Sequence, residues 1–302
     1  MGIKWFDEEL AAGRLDALLG GIRILYTDLD GTLLGLRGCL LVDGDNKPCA
    51  DTANTIVQAN LCENLTIVPC TGRSVTQLIE ISRLCGWNDF LAEVGAVRSY
   101  WHADEGWREN IYDTPLWPEG ILNGKTPLDV IKESGAVELL QEAFPGQLEY
   151  HSPWNINRQA TNVLRGRVDM QRAEELLAQV EPAITLVENG VIHPSSHTLI
   201  ESDEPIRAYH LAPTGVTKGT AIRADLERRG LKREEALMIG DGLADIECAP
   251  DVAAVMMVHN FVSNPATEKV AAQSPNAYVM NGYQGDGWSQ LVSAILTALS
   301  GR

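Results

Sequence analysis

The sequence predicts an α/β protein built on a parallel sheet with helices on its faces, carrying an inserted α+β module. Three observations lead there. Short apolar runs alternate with helical patterns from residue 22 to 93, the signature of parallel strands joined by helical crossovers. The same alternation returns after about residue 204. Between them, residues 98–203 mix strand-like and helix-like pieces and hold four of the seven tryptophans, Trp101, Trp107, Trp117 and Trp154. The expected domains are therefore a core of residues 1–97 plus 204–302 and an insert of residues 98–203.

Each element has a local reason. Residues 4–19 place Trp5, Phe6, Leu10, Leu15, Leu18 and Leu19 at helical spacing and predict one amphipathic helix. Ile22–Thr27 is apolar throughout, as a strand buried on both faces requires. The turn residues Asp43–Asn46 predict a small hairpin flap within 33–49. Asp51 is placed to cap a helix reaching about Cys62. Leu65–Pro69 reads as a second strand, and Ser74 caps a helix that Gly86 stops. Phe90–Glu93 reads as a third strand. In the insert, Gln147–His151, Thr161–Gly166, Ile184–Glu188 and His197–Glu201 read as strands, and 127–143 and 169–180 as helices. A helix follows Lys218 and ends at Gly230. Ala236–Ile239, Val252–Val258 and Ala277–Met280 are strands, and a last helix covers about 288–299.

Composition narrows the function. The 302 residues carry 24 Lys+Arg against 41 Asp+Glu, a formal charge of −17. Nucleic-acid and anionic-membrane binders need a basic surface, so neither is an expected partner. No apolar run is long enough to span a bilayer. The first residues carry acids where a signal peptide would be apolar. Six scattered cysteines without a CxxC pair read as free thiols. Together these predict a cytoplasmic protein, a monomer or weak homo-oligomer.

Four short segments carry chemistry, and three of them follow predicted strands, where open α/β sheets bind ligands. In Asp28-Leu29-Asp30-Gly31-Thr32, residues two apart point the same way, so two carboxylates share one side. Such a pair can hold Mg²⁺ and attack phosphorus; an Asp-rich turn is the plainer reading. Thr71-Gly72-Arg73 offers a hydroxyl and a glycine amide to an anion, or simply turns a strand into a helix. Lys218, between Thr217 and Gly219, starts a helix, where its charge opposes the macrodipole unless an anion binds there. Gly240-Asp241-Gly242-Leu243-Ala244-Asp245 puts two acids around a glycine turn, as hard oxygen ligands for Mg²⁺ or as helix-start acids.

In this order the four segments resemble the haloacid dehalogenase (HAD) superfamily of aspartate-nucleophile phosphohydrolases. Asp30 and Thr71 are separated by 40 residues and Thr71 and Lys218 by 146, which puts the insertion between the second and third motifs. That position is similar to subfamily IIB, which includes sucrose-phosphate and mannosyl-phosphoglycerate phosphatases. The resemblance implies a Rossmann-like core with an α+β cap that reads the substrate. It implies Asp28 as nucleophile and Asp30 as general acid and base. Thr71, Gly72 and Lys218 would hold phosphate, and Asp28 and Asp241 by their carboxylates and Asp30 by its backbone carbonyl would hold Mg²⁺, with Asp245 a direct or water-mediated ligand or the residue that orients Lys218. Thr32 would support the nucleophile loop, and Arg73 would serve structure or the cap, with direct phosphate binding as its alternative. The implied partner is a small phosphorylated metabolite of the sugar-phosphate class. A phosphomutase and a catalytically silent binding module share this architecture and are the alternatives. The stretch Ala92–Ala96 matches a family turn that usually has Asn before Gly; Val94 stands there instead. Within the cap, Arg158, Arg165, Arg167, His151, His197 and Trp154 are candidate readers of the leaving group, against the plainer reading of strand-face and core residues.

Overall fold

A computed structural model describes residues 2–301. Twelve strands form three sheets among these residues. In chain order they are β1 (Ile24–Thr27), β2 (Thr66–Pro69), β3 (Phe90–Ala92), β4 (Val97–His102), β5 (Trp107–Tyr112), β6 (Leu148–Tyr150), β7 (Asn162–Gly166), β8 (Ile184–Val191), β9 (Arg207–Pro213), β10 (Ala236–Gly240), β11 (Ala254–Met257) and β12 (Ala277–Val279).

The chain divides into two compact units. The first runs to Thr71, includes Ile81–Phe90, and resumes at Lys218. Its sheet has the order β12-β11-β10-β1-β2, parallel throughout. β1 and β10 are buried at every position, which is why their sequences are unbroken apolar runs. From β1 the chain steps to β2 on one side and later to β10 on the other, so the order reverses at the β1–β10 pair. Loops diverge at such a reversal and leave a crevice at the strands' carboxyl ends. Trp288, wholly buried, donates through Nε1 to Thr27 Oγ1 at 3.1 Å and so ties the last helix, Gln284–Ser300, to the end of β1.

The second unit comprises Gly72–Glu80 and Leu91–Thr217. Its four-stranded sheet, β6-β7-β9-β8, is antiparallel. One face packs on helices Pro127–Glu133, Ala136–Ala143 and Met170–Leu177 around Ile131, Leu140, Leu164, Leu177 and Leu211. Two of these helices have side-chain caps that the sequence spells out. Thr126 and Asp129 form a reciprocal capping box with Pro127 at the first helical position, and Asp169 accepts from the Arg172 amide. A separate sheet, β3-β4-β5, contains the antiparallel β4–β5 hairpin.

The structure differs from the sequence reading in several places. The helix expected over 4–19 is two helices, Phe6–Ala11 and Asp16–Gly21, with Gly13 at φ +69° between them. The helix over 127–143 is likewise broken, at Gly135 (φ +74°). Asp51 lies inside its helix, Asp51–Asn60, and Ala50 takes the cap position. The flap at 33–49 has a single bridge, Val42 to Pro48, rather than a hairpin ladder. β3 belongs with β4 and β5 and not with the parallel sheet.

His197–Glu201 is not a strand. Its amides are used elsewhere: Thr198 donates to the Glu149 carboxylate and Ile200 to the Gly146 carbonyl, and the Ile200 carbonyl accepts from Arg167. The sequence reading assigned neither β9 nor helix Pro265–Gln273. Because β9 pairs with β7 and β8, residues up to Thr217 group with the second unit. The division at the other end falls within β3. The insert is therefore wider than the expected 98–203.

One buried polar chain braces the first unit. Tyr26 Oη donates to Asp225 Oδ2 at 2.6 Å, Arg229 Nε donates to the same oxygen at 2.7 Å, and Arg229 Nη2 donates to Asp89 at 2.8 Å. Removing one partner of a buried pair strands the other, which typically costs about 3–5 kcal/mol. Arg229 keeps Asp89, so Asp225→Ala is expected to lower the unfolding free energy by roughly 3 kcal/mol, read from urea denaturation; a loss under about 0.5 kcal/mol, the size of a surface substitution, would show that this chain carries no stability.

Candidate active site

Asp28 follows β1 directly and Asp241 follows β10, so both stand at the order reversal. Lys218 opens helix Lys218–Arg229. Its ammonium donates to Asp28 Oδ1 at 2.7 Å and to Asp245 Oδ1 at 2.7 Å, and all three groups are buried. The other oxygen of Asp245, Oδ2, accepts from the amides of Asp241 (3.1 Å) and Gly242 (2.9 Å), which start the short helix Leu243–Ile246. The helix-start reading of this acid holds. Asp241 accepts from Thr32 Oγ1 at 3.3 Å and from Asn260 Nδ2 at 3.1 Å.

Two glycines permit the approach. Gly31 sits at φ +82°, and a Cβ there would lie 2.2 Å from Asp241 Oδ2. A Cβ on Gly240 would lie 2.2 Å from the Asp245 carboxyl carbon. Any side chain at either position drives a carboxylate out of place.

Carboxylate oxygens of Asp28, Asp241 and Asp245 lie within 4.8 Å of one another. The electrostatic consequence is direct. Burial, then the neighbouring Asp245 and Asp30, push the Asp28 carboxyl up to about 7 against the pull of Lys218. Burial, then Asp28 and Asp245, hold Asp241 well above the usual carboxylate range. Burial opposes the Lys218 ammonium, yet Asp245 and Asp28 outweigh it and hold its pKa well above that of an ordinary lysine. Three carboxylates around one ammonium leave an excess of negative charge. Oxygen donors of this kind suit a hard divalent cation, and one would cancel that excess.

The other residues singled out by sequence fall as follows. Asp30 is exposed, and its carboxylate lies outside the three-acid cluster. Thr71 is buried two residues beyond β2, the parallel neighbour of β1. Gly72 groups with the second unit, where a Cβ on it would lie 2.7 Å from Asn189 Nδ2 and 3.1 Å from His210 Nε2. Arg158 is buried and donates to Thr161 Oγ1, to the Trp154 carbonyl and to the Gly72 carbonyl. Arg165 pairs with Glu149, and Arg167 binds the carbonyls of Ile200 and Glu204. Burial pushes His151 down to about 4, with Arg165 and Arg158 adding to it. Trp154 is 52% exposed and is not a core residue.

Asn260 was not read from the sequence. It bridges the Gly31 carbonyl (3.0 Å) and Asp241, joining two motif loops. Its signal was its place just past β11, at the same sheet end as Asp28 and Asp241. None of the six cysteines is disulfide-bonded. No helix among the described residues is long and apolar enough to cross a membrane.

No protein-family profile matches the sequence, and no curated protein matches it. The fold has solved counterparts. It is similar to a haloacid dehalogenase-like hydrolase from Bacteroides thetaiotaomicron, at 16% identity over 91% of this chain and 99% of that one, with a TM-score of 0.55. It is similar to the sucrose-phosphatase of Synechocystis in complex with sucrose and phosphate, at 16% identity over 90% and 97%, TM-score 0.57. A haloacid dehalogenase subclass IIB sugar phosphatase aligns at 17% identity over 90% and 98%, TM-score 0.54. The chain has the haloacid dehalogenase-like fold, a Rossmann-like core with an inserted α+β unit.

The raised Asp28 pKa fixes a pH dependence for the metal-free protein. An unfolded aspartate titrates near 3.9. Between that value and about 7 the native state holds more protons than the unfolded state, so stability is greatest below about 4 as far as this group is concerned and falls as pH rises to about 7. Thermal unfolding in a chelator should show Tm declining over this window in wild type and less so in Asp28→Asn; equal slopes would contradict the assignment.

Proposed function

We propose that this chain is a Mg²⁺-dependent phosphatase that hydrolyses a small phosphorylated metabolite of the sugar-phosphate class through an aspartyl-phosphate on Asp28. The observation that carries the reading is the joining of Asp28, Lys218 and Asp245 at the reversal of strand order. Residues far apart in sequence meet where this fold binds ligands. The likeness to solved sugar phosphatases supports the same class.

In the proposed reaction, Asp28 Oδ attacks phosphorus and the bond to the leaving oxygen breaks. Asp30 gives that oxygen its proton. Water then attacks the phosphorus of the aspartyl-phosphate, Asp30 takes the water's proton, and the Asp28–phosphorus bond breaks to release phosphate. Splitting one displacement into two is covalent catalysis. Lys218 and the Thr71 hydroxyl offer donors to the phosphoryl oxygens, and Gly72, next in the chain, offers its amide; fixed donors of this kind supply most of the rate in phosphoryl transfer. Lys218 also holds Asp28 in place by its 2.7 Å bond. The carboxylates of Asp28, Asp241 and Asp245 and the backbone carbonyl of Asp30 are the proposed holders of Mg²⁺. When bound, the ion supplies positive charge against the phosphate. Exposure to solvent lets Asp30 exchange protons with leaving group and water. The inserted unit is the proposed source of substrate choice.

Uncatalysed phosphate-monoester hydrolysis is slow enough that enzymes accelerate it by up to about 10²¹-fold. Loss of the nucleophile should therefore abolish turnover. Phosphate release from a panel of phosphorylated metabolites is expected in wild type with Mg²⁺, and is expected to vanish with chelator and in Asp28→Asn. Retained release in Asp28→Asn would overturn the mechanism. Conversion of a substrate to its isomer without phosphate release would point to a mutase.

A further inference from the structure

A turn that receives an anion must aim N–H groups at it and keep its carbonyl oxygens turned elsewhere. Gly72 makes this demanding. It lies outside the left-handed region, so glycine is not there for a positive φ. A Cβ on it would crowd Asn189 and His210, so glycine is there for room. Room brings freedom: without a Cβ, the peptide bonds on either side of the residue can turn. Their direction must be imposed from outside. Two groups impose it. Arg158 Nη2 donates to the Gly72 carbonyl at 2.5 Å, and the Glu93 amide donates to the Arg73 carbonyl at 3.0 Å. Consecutive carbonyls of the turn are therefore held by one assembly, because Glu93 and Arg158 are themselves joined. Their side chains are 0% and 2% exposed. Thr161 Oγ1 links them, accepting from Arg158 Nε at 3.1 Å and donating to Glu93 Oε2 at 2.9 Å. Every one of these residues belongs to the second unit.

The geometry separates holding from ion pairing. A salt bridge built for attraction sets the guanidinium fork against the carboxylate, two N–H groups on two oxygens. Here Nε lies 3.7 Å from Glu93 Oε2, and the outer nitrogens go to carbonyls: Nη1 to Trp154 at 3.2 Å and Nη2 to Gly72. Gly72 stands 86 residues from Arg158 in the chain, so this bond is a tertiary tie and not a local turn. The cation is also held at a cost. Burial pulls the Arg158 pKa below that of an ordinary arginine, against the opposing pull of Glu93. Replacing a buried ion pair by apolar residues is often neutral or stabilising. Stability alone therefore does not account for a cation here, whereas its bonds to backbone carbonyls do.

We propose that Arg158 is a positioning residue for phosphoryl transfer: its bond to the Gly72 carbonyl sets the direction of the turn's amides, and Glu93 and Thr161 keep the guanidinium in place. This inference rests on the reading of Thr71 and Gly72 as the phosphate turn. In this role Arg158 acts through the Gly72 backbone and does not itself touch phosphate.

The test is Arg158→Lys in the full chain. Lysine ends one atom short of Nη2, so it keeps a charge beside Glu93 and loses the fork that reaches Gly72. Phosphate release from the metabolite panel with Mg²⁺ is the deciding readout where wild type turns over. Calorimetric titration with inorganic phosphate decides where the panel holds no substrate. The expected kcat is lower by about 100-fold, the size of losing one fixed donor to a developing oxyanion. KM should change little, because the lost interaction is one made in the transition state. Inorganic phosphate should bind about tenfold more weakly, and Tm should stay close to that of wild type. A purely structural role predicts the opposite pattern, a lowered Tm with kcat kept. Unchanged kcat in Arg158→Lys, or unchanged phosphate affinity where that readout decides, overturns the inference and leaves the phosphatase reading standing. A wild type that neither binds phosphate nor releases it from any panel member overturns both. Where Arg158→Lys does not fold, Thr161→Val removes the hydroxyl between Arg158 and Glu93 at nearly constant volume. There kcat should fall about tenfold, as misplacing a fixed group does, and an unchanged kcat overturns the inference.

Discussion

One buried ammonium holds the site together. Lys218 lies between Asp28 and Asp245, at 2.7 Å from each, with Asp241 adjoining. An isolated charge in a low-dielectric interior costs several kcal/mol, and close partners offset that cost only when the geometry is good. Here the compensation is incomplete because three acids face one base. Burial first, and then the neighbouring acids, raise Asp28 and Asp241, and the same crowding of acids makes the cluster receptive to a divalent cation. Structure and proposed chemistry therefore draw on one imbalance: a fully neutral cluster would be more stable alone and less able to take up metal or to present a carboxylate to phosphorus.

The sheet exists in the right form to deliver that cluster. Asp28 and Asp241 are first residues after two adjacent parallel strands, so their positions are set by a ladder of backbone hydrogen bonds and not by loop conformation. Precision then depends on what crowds the strand ends. Gly31 and Gly240 leave room for Asp241 and Asp245, Asn260 ties two loops, and Trp288 fixes Thr27 from behind. Thr27 in turn donates to the Asp28 carbonyl at 2.7 Å. The last helix, whose sequence carries no catalytic motif, thus bears on the residue before the proposed nucleophile.

Legibility in the sequence followed the range of the interactions. Parallel strands buried on both faces announce themselves as apolar runs, and Asp28, Lys218, Asp241 and Asp245 stood in short segments whose order was informative. The cap at Ser74 was readable because it is local, its hydroxyl accepting from the Gln77 amide and the Gln77 side-chain oxygen accepting from the Ser74 amide, whereas the cap expected at Asp51 falls on Ala50. What could not be read depends on distant partners. The polar, proline-containing stretch Ser202–Pro205 reads as a boundary before β9, and only pairing with β7 and β8 makes β9 part of the inserted unit. His197–Glu201 has strand-like residues, but Glu149, Arg165 and Arg167 occupy the backbone around it. Two overlong helices failed at Gly13 and Gly135, where a positive φ was available and an apolar periodicity did not register it.

The turn at Glu93–Val94 shows how such long-range demands are met. Both residues have positive φ, +54° and +57°, and for a β-branched valine this is a strained conformation costing about 1–3 kcal/mol. In the resembling family an asparagine usually takes this place, a residue that tolerates the left-handed region. Here valine takes the left-handed conformation instead, so something else must hold the turn. The fully buried Glu93 carboxylate does so, accepting from the amides of Gln159, Ala160 and Thr161 at 2.8–3.0 Å and from the Thr161 hydroxyl at 2.9 Å. Hydrogen bonds to a charged group contribute about 1.5–3 kcal/mol each, so even two outweigh the strain. Arg158, one residue before those amides, carries the constraint onward by donating to the Gly72 carbonyl. A strained turn at the start of the inserted unit is in this way mechanically continuous with the proposed phosphate turn, through side chains that no local motif announces.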